Sequence, residues 1–374
     1  MAVMPVIFDA PVYAHRLSTA AELAHSQGLA GLIIGTGPEL AYLTGSTISS
    51  HERLTALVIP AQGTPQLVVP ATDLGELAHS AVPELEIEIR GWVDGDRPHS
   101  LAVESLPTSG AVALGSSLTT IHVLTLQQLL PGRSTVPAAT TLADLFMVKD
   151  PAEISQLKRA GEAIDAVHQQ VPGLLLPGHT ERQVADTLAK LILVEHEVVD
   201  FVIVGSGPNG ADPHHSYSDR VLESGDVVVV DLGGTLDTGY HSDETRTYIV
   251  GGPEAATAKA REAYEVLFNA HAAAVAAVAP GVSAADLDAA ARAVITEAGY
   301  GDYFIHRTGH GIGLSTHEEP YLMAGNNLPV EPGMCFSVEP GIYLPGEWGM
   351  RLEDIVTVTS SGAEYLSYQH RELR

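Results

Sequence analysis

One cysteine, Cys335, stands in 374 residues, so no disulfide can form within the chain and secretion gains no support. Basic residues are scarce too: 19 Lys and Arg face 46 Asp and Glu, a formal net charge of −27. Phosphate-rich partners need clustered Lys and Arg, which argues against nucleic acid and anionic membrane surfaces. No run of about 18 uninterrupted apolar residues occurs, so no membrane span is expected. The N-terminal stretch MAVMPVIFDAPVYAHRL has no basic residue before His15 and Arg16 and no apolar core of signal-peptide length, so the expected compartment is the cytoplasm. No G-x-S-x-G turn is present, which speaks against a serine nucleophile. What remains is an ordinary globular composition, 45% hydrophobic and 17% charged, long enough for two domains with separate cores.

The stretch that organises the chain is Val227–Thr247, VVVVDLGGTLDTGYHSDETRT. A β-branched run ends in Asp231, a region with Gly233, Gly234 and Gly239 follows, and Asp243 opens a return strand to Val250. This pattern predicts a β-hairpin with its turn in the glycine region. A carboxylate at the end of an apolar strand is costly to bury unless a positive group meets it. Two carboxylates brought together by one hairpin need a cation, and oxygen-only ligands suit a hard or borderline divalent metal. Alone, such a pair reads first as two solvated hairpin ends, and it is the rest of the chain that favours the metal.

Residues 1–145 read as an alternating α/β unit. Val12–Gln27 is an amphipathic helix ending at Gly28, followed by strands at Leu29–Ile34, Leu54–Ile59 and Gln66–Val69. Trp92 and Asp94–Asp96 fall in a loop-like region. His51, Glu52 and Arg53 are sequence neighbours, and neighbours on a strand point to opposite faces, so they form no joint site. At Lys149-Asp150-Pro151 a helix-start signal introduces a long helix, about Ala152–Gln170, and a second domain, 146–374. That domain repeats itself. Pro177-Gly178-His179-Thr180 opens a helix with Thr180 and Gln183 in capping-box positions, and Pro280-Gly281-Val282-Ser283 does the same with Ser283 and Asp286. Asp231 and Glu339 follow these two openings at nearly the same spacing. Glu339 opens a second acidic hairpin, MCFSVEPGIYLPGEWGMRLEDIVTVT, whose return strand carries Glu353. Two such units about a pseudo-two-fold axis focus four carboxylates on one point.

Between the hairpins lies HRTGHGIGLSTH, His306–His317. It is not a helical HExxH zinc motif, because Arg307 takes the Glu position and glycines break the helix. Gly309, Gly311 and Gly313 point instead to tight strand packing that brings His310 close to a partner. Gly205-Ser206-Gly207-Pro208-Asn209-Gly210 matches G-x-G-x-x-G, but Pro208 and Pro213 follow where a phosphate-binding helix must begin, so a dinucleotide site is rejected. The segment reads better as a loop carrying His214 or His215 towards the acidic cluster.

Taken together, DLGG…GYHSDETRT, HRTGHGIGL, SVEPGIY and RLEDIV resemble the signature segments of the prolidase and aminopeptidase P family of dinuclear metallopeptidases. ELAYLTG and ERLTALVIP resemble that family's N-terminal domain, so the resemblance spans nearly the whole chain and lies nearest the short bacterial Xaa-Pro dipeptidases. It implies an α/β creatinase-like N-terminal domain and an α+β "pita-bread" catalytic domain. It implies two divalent ions, manganese above all with cobalt or zinc possible, held by Asp231, Asp243, His310, Glu339 and Glu353. Asp243 and Glu353 would bridge the ions, Asp231 would complete one site, and His310 with Glu339 the other. His214 and His317 would contact substrate, and Arg351 would orient the bridging carboxylates. The implied reaction is hydrolysis of an Xaa-Pro bond by a metal-bridging hydroxide, with Glu339 as general acid and base. The expected substrates are proline-containing dipeptides or short peptides, and the expected assembly is a homodimer. Eleven residues separate Asp231 from Asp243 where many relatives have ten, which leaves the register at Asp243 open. Aminopeptidase P activity on longer peptides is the alternative. A non-catalytic binding module on the same fold would have lost ligands and carry basic surface, and this chain shows neither. Methionine aminopeptidase leaves the first domain unexplained, and creatinase does without the five ligand types.

Overall fold

The computed structural model describes residues 8–374; the first seven residues, part of the stretch read above for an export signal, lie outside the described residues. The chain divides into two compact units, Met1–Phe146 and Met147–Arg374.

In the first unit, α1 (Ala10–Ser26) packs on β1 (Leu29–Ile34) of a six-stranded sheet. The other strands are β2 (Ala56–Pro60), β3 (Gln66–Pro70), β4 (Glu88–Trp92), β5 (Ala111–Leu114) and β6 (Thr135–Pro137), in the order β4-β3-β2-β1-β5-β6. The β1–β2 and β2–β3 pairs are antiparallel and the rest parallel, so the sheet is mixed. The residues around Trp92 acquire a role. The indole Nε1 donates to Leu54 O at 3.0 Å, and Arg53 pairs with Asp94 at 2.9 Å rather than with its sequence neighbours.

The second unit opens with α2 (Pro151–His168), whose Asp150 and Glu153 form a complete capping box. The Thr180–Gln183 box caps α3 (Glu181–Ile192). Next comes a three-stranded antiparallel sheet, β7 (Val198–Ser206), β8 (Val227–Thr235) and β9 (His241–Ile249), in that order. Strand alternation divides its side chains between two faces. Val202, Val204, Val228, Val230, Leu232 and Tyr248 pack with Ile164, Val167, Val184, Leu188 and Ile192 of α2 and α3 in one core. The opposite face carries Phe201, Ile203, Asp231, Asp243 and Thr245, because Ile203 pairs with Asp231, Asp231 with Thr245, Phe201 with Gly233, and Gly233 with Asp243.

The helices α4 (Ala258–Ala277) and α5 (Ala284–Glu297) pack on one another and on the second sheet, with Ser283 capping α5. That sheet runs β11-β10-β12-β15-β16, from β10 (Gly309–Gly311), β11 (Glu318–Leu322), β12 (Cys335–Val338), β15 (Asp354–Thr359) and β16 (Gly362–Tyr365). A separate small hairpin, β13 (Gly341–Leu344) with β14 (Trp348–Arg351), lies between β12 and β15 in sequence.

Two sequence expectations change here. Gly233 and Gly234 belong to β8 rather than to the turn, which is left to residues 236–240. A Cβ on Gly233 would sit 2.3 Å from the Phe201 ring, and one on Gly234 would sit 2.8 Å from His196, so close packing rather than chain reversal demands glycine. The second acidic hairpin is also not continuous. Its outer ladder stops at the Val338–Asp354 pair and its inner one begins at Gly341–Arg351, leaving Glu339 and Glu353 in the two breaks. Pro340 has no N–H to give a ladder, which ends the strand beside Glu339.

Candidate metal centre

The two sheets meet where Glu353 N donates to Thr245 O at 3.1 Å and Thr247 Oγ1 donates to Arg351 O at 2.9 Å. This juncture gathers the acidic residues. Ligand atoms of Asp231, Asp243 and Glu353 lie within 4.8 Å of one another, as do those of His310, Glu339 and Glu353, and those of Asp243, His310 and His317. The eleven-residue spacing is absorbed in the turn, since Gly233 pairs with Asp243 and both aspartates share one face. His310 sits mid-strand in β10, where a Cβ on Gly309 would fall 1.9 Å from Ser337 O. Its Nδ1 faces Gly311 O at 3.1 Å. A carbonyl can only accept, so Nδ1 donates to it, and Nε2 is the nitrogen turned to the cluster, 3.2 Å from Glu339 and 3.6 Å from Asp243.

Arg351 braces the cluster. Its Nη2 donates to Asp231 Oδ2 at 2.6 Å, its Nε to Thr245 Oγ1 at 3.0 Å and its Nη1 to Tyr343 OH at 2.9 Å. Thr245 Oγ1 donates onward to Glu353 Oε2 at 2.8 Å. Asp231 Oδ1 remains buried with no hydrogen-bond partner among the described residues. Burial, followed by the repulsion of Glu353, Asp231 and Glu339, pushes the Asp243 carboxyl well above its ordinary range. Burial, then Glu339 and Asp231, does the same to Glu353. Burial would also raise Glu339, but the hydrogen bond and charge of His310 outweigh it and hold that group low. A bare carboxyl oxygen, an imidazole nitrogen turned into an acidic cluster and carboxylates that cannot all ionise together are what a divalent cation corrects, so this donor set fits one.

The cluster floors a cavity of about 930 Å³ whose walls include His214, His317, Asp200, Phe201, Tyr217 and Arg307. His214 faces it, whereas His215 turns aside and meets Glu181 Oε2 at 2.9 Å. The His317 ring lies 3.9 Å from that of His310. Partial burial, then the charges of His310 and Arg307, brings its pKa down to about 4, so His317 is neutral at pH 7. The cavity lining thus holds all eight residues singled out from sequence, Arg351 included. The segment Gly207–Ala211 forms only a short 3₁₀ turn.

Sequence reasoning missed two wall residues, Asp200 and Arg307, and Tyr343 behind them, which contacts Arg351 and His306. Asp200 is the extra residue of a β-bulge, because Val199 pairs with Gly234 and Phe201 with Gly233. Its carboxylate meets His241 Nδ1 at 2.7 Å and accepts from Thr235 Oγ1 at 2.6 Å. Tyr343 OH lies 2.9 Å from His306 Nε2 while it accepts from Arg351. Arg307 stacks 4.4 Å from the Tyr321 ring centroid and has no carboxylate partner among the described residues. The Arg307 signal was in hand, since a cation stood in the His-rich run; the bulge left none.

Comparison with known proteins agrees with this geometry. Residues 155–360 match Metallopeptidase family M24, and residues 16–148 match the Creatinase/Prolidase N-terminal domain. The chain is 53% identical to the "Probable dipeptidase PepE" of Mycobacterium tuberculosis, over 95% of this chain and 94% of that one. It is 35% identical to the Xaa-Pro dipeptidase of Lactobacillus helveticus, over 90% of this chain and 92% of the relative. The crystal structure of dipeptidase PepE from Mycobacterium ulcerans superposes with a TM-score of 0.94 at 52% identity, covering 98% of each chain. With a creatinase-like unit followed in sequence by a pita-bread peptidase unit, the chain belongs to metallopeptidase family M24.

Proposed function

We propose that the protein is a metal-dependent dipeptidase that hydrolyses the Xaa-Pro bond of dipeptides. The observation that carries this reading is the five-residue cluster together with a cation, Arg307, that has no carboxylate partner among the described residues and stands in the wall of the same cavity. A free dipeptide presents a carboxylate one residue beyond its scissile bond, and a guanidinium with no carboxylate partner among the described residues is suited to receive it. A longer peptide carries an amide at that position. The names of the relatives, probable dipeptidase and Xaa-Pro dipeptidase, support the same substrate class.

Bound divalent cations supply Lewis-acid polarisation of the scissile carbonyl and a water acidified towards neutral pH. The protein supplies the remainder. Asp231, Asp243, His310, Glu339 and Glu353 hold the ions, and Arg351 fixes Asp231. Glu339, which accepts from Ser337 Oγ at 3.1 Å, takes the proton of the attacking water and returns it to the leaving nitrogen. That return matters for proline, whose tertiary amide nitrogen has no hydrogen of its own. His214 and His317 donate to the carbonyl oxygen as charge develops on it. Manganese is the metal we favour for a set rich in oxygen ligands, with cobalt or zinc as substitutes. We further propose a homodimer working in the cytoplasm; no helix among the described residues is long and apolar enough to cross a membrane.

The test is hydrolysis of an Xaa-Pro dipeptide and an Xaa-Pro-Xaa tripeptide by metal-stripped protein, with and without added manganese. Manganese-dependent cleavage of the dipeptide alone is expected. Cleavage of the tripeptide at a comparable rate moves the assignment to aminopeptidase P, and cleavage of neither, with metal bound, overturns the substrate class. Light scattering tests the dimer.

A further inference from the structure

His214 and His215 are adjacent, yet only the first faces the cavity, and the residues on either side of His214 show why. On one side, Pro213 O accepts from Arg351 Nη1 at 3.4 Å, tying the chain to the guanidinium that holds Asp231. On the other, His215 Nε2 donates to Glu181. Residues 213 and 215 are thus anchored on either side of the histidine that faces the cavity.

Glu181 is the first residue of α3, fully buried, and its carboxylate gathers the chain from Ser206 at the end of β7 to Ser218. Its Oε1 accepts from Ser206 N at 2.8 Å, Ser206 Oγ at 2.6 Å and Asn209 Nδ2 at 3.0 Å. Its Oε2 accepts from Ser218 N at 2.8 Å, Ser218 Oγ at 2.7 Å and His215. Burial opposes the ionised form, but the bonds from Ser206, Ser218 and His215 outweigh it and hold the group low, at about 2. A helix cap needs none of this, because Thr180 and Gln183 already cap α3. The donors instead come from both ends and the middle of the segment that carries His214.

We propose that Glu181 is a positioning residue that selects which of two adjacent histidines enters the active cavity, by holding His215 out so that His214 points in. The proposal rests on the substrate-contacting role given to His214 above. Glutamine at 181 would turn an N–H₂ group towards donors that need an acceptor, releasing His215 while leaving the cluster's own residues in place.

The test combines kinetics with chemical mapping on the manganese-loaded protein. Glu181→Gln is expected to lower kcat at least about tenfold with metal content unchanged, since small misplacements of a reacting group cost factors of this size. In a His214→Ala background the same substitution is expected to cost little further, because the group that it positions is gone. Independently of turnover, carbethoxylation followed by peptide mass analysis should modify His214 and spare His215 in the wild type, and modify both in Glu181→Gln. His215→Gln, which leaves Glu181 in place, should reproduce the kinetic loss if Glu181→Gln does not fold. Fully additive losses, or continued protection of His215 in Glu181→Gln, overturn the proposal. A His214→Ala protein with unchanged kcat instead removes the role assigned to His214 and leaves the positioning claim to the mapping alone.

Discussion

Arg351 and Asp231 lie 120 positions apart in sequence and 2.6 Å apart in space, one on β14 and the other on β8. The contact occupies Oδ2 and leaves Oδ1 without a partner among the described residues, so the guanidinium fixes the plane of the carboxylate while keeping one oxygen available. Lysine carries the charge but lacks the fork that reaches Asp231, Thr245 and Tyr343 together. Arg351→Lys should therefore lower metal affinity by about 10- to 100-fold, the usual effect of removing a partner that orients a ligand. Manganese titration by calorimetry checks this, and unchanged affinity in a folded variant would refute the bracing role.

Asp243 gives a prediction in which two signs oppose. Without cation, this fully buried carboxyl is raised by burial and by Glu353 and Asp231 beside it, a destabilising arrangement. Asp243→Asn removes one member of the repelling set. In chelator, the variant should melt at a temperature equal to or roughly 2–4 °C above the wild type, that interval being about 1 kcal/mol for a unit of this size. With manganese added, the wild type should gain stability and the variant should not. Thermal scans in the two buffers decide, and a destabilised apo variant would show that repulsion does not dominate there.

Arg307 should discriminate by the terminus of the substrate. For the wild type, amidation of an Xaa-Pro dipeptide should raise KM about tenfold or more, as a charge-assisted hydrogen bond is lost. For Arg307→Gln the two substrates should have similar KM values. An undiminished preference for the free acid in the variant would assign carboxylate recognition to another group.

His168 sets a pH dependence of stability. It is fully buried, donates from Nε2 to Glu244 O at 3.0 Å and faces Tyr248 OH with Nδ1 at 3.0 Å. Burial, then the charge of Arg246, lowers its pKa to about 3. In the unfolded chain the group takes a proton near its ordinary pKa of 6.5. Between these values the unfolded state binds more protons, so the contribution is whole above pH 6.5 and is lost as pH falls towards 3. His168→Gln should flatten the decline of unfolding free energy between pH 6.5 and 5 by up to about 1.4 kcal/mol per pH unit. Denaturant titrations at several pH values measure the slope, and an unchanged slope would place the acid sensitivity elsewhere.

Much of the site was legible because a carboxylate at the end of a β-branched strand has to be explained, and Asp231, Asp243, Glu339 and Glu353 recur in two similar frames. His310 was legible from its glycine neighbours. What could not be read depends on partners distant in sequence. Gly233 and Gly234 suggested a turn until Phe201 and His196 were seen against them. The second hairpin looked continuous, although Pro340 already signalled its break. The bulge at Asp200 arises from pairing between β7 and β8, which no local pattern announces. The choice between His214 and His215 depends on Glu181, more than thirty residues earlier.

The ladder between β8 and β9 makes the short turn at residues 236–240 a point of unusual genetic sensitivity. Side chains alternate strictly along both strands, so an odd change in turn length that shifted the pairing by one would exchange the two faces of β9. Asp243 and Thr245 would then point into the aliphatic core, and Glu244 and Arg246 into the cavity. An even change preserves the faces and only slides them. The parity applies to register shifts and not to turn length as such, since the eleven-residue spacing of this chain is taken up within residues 236–240 with both aspartates still on one face.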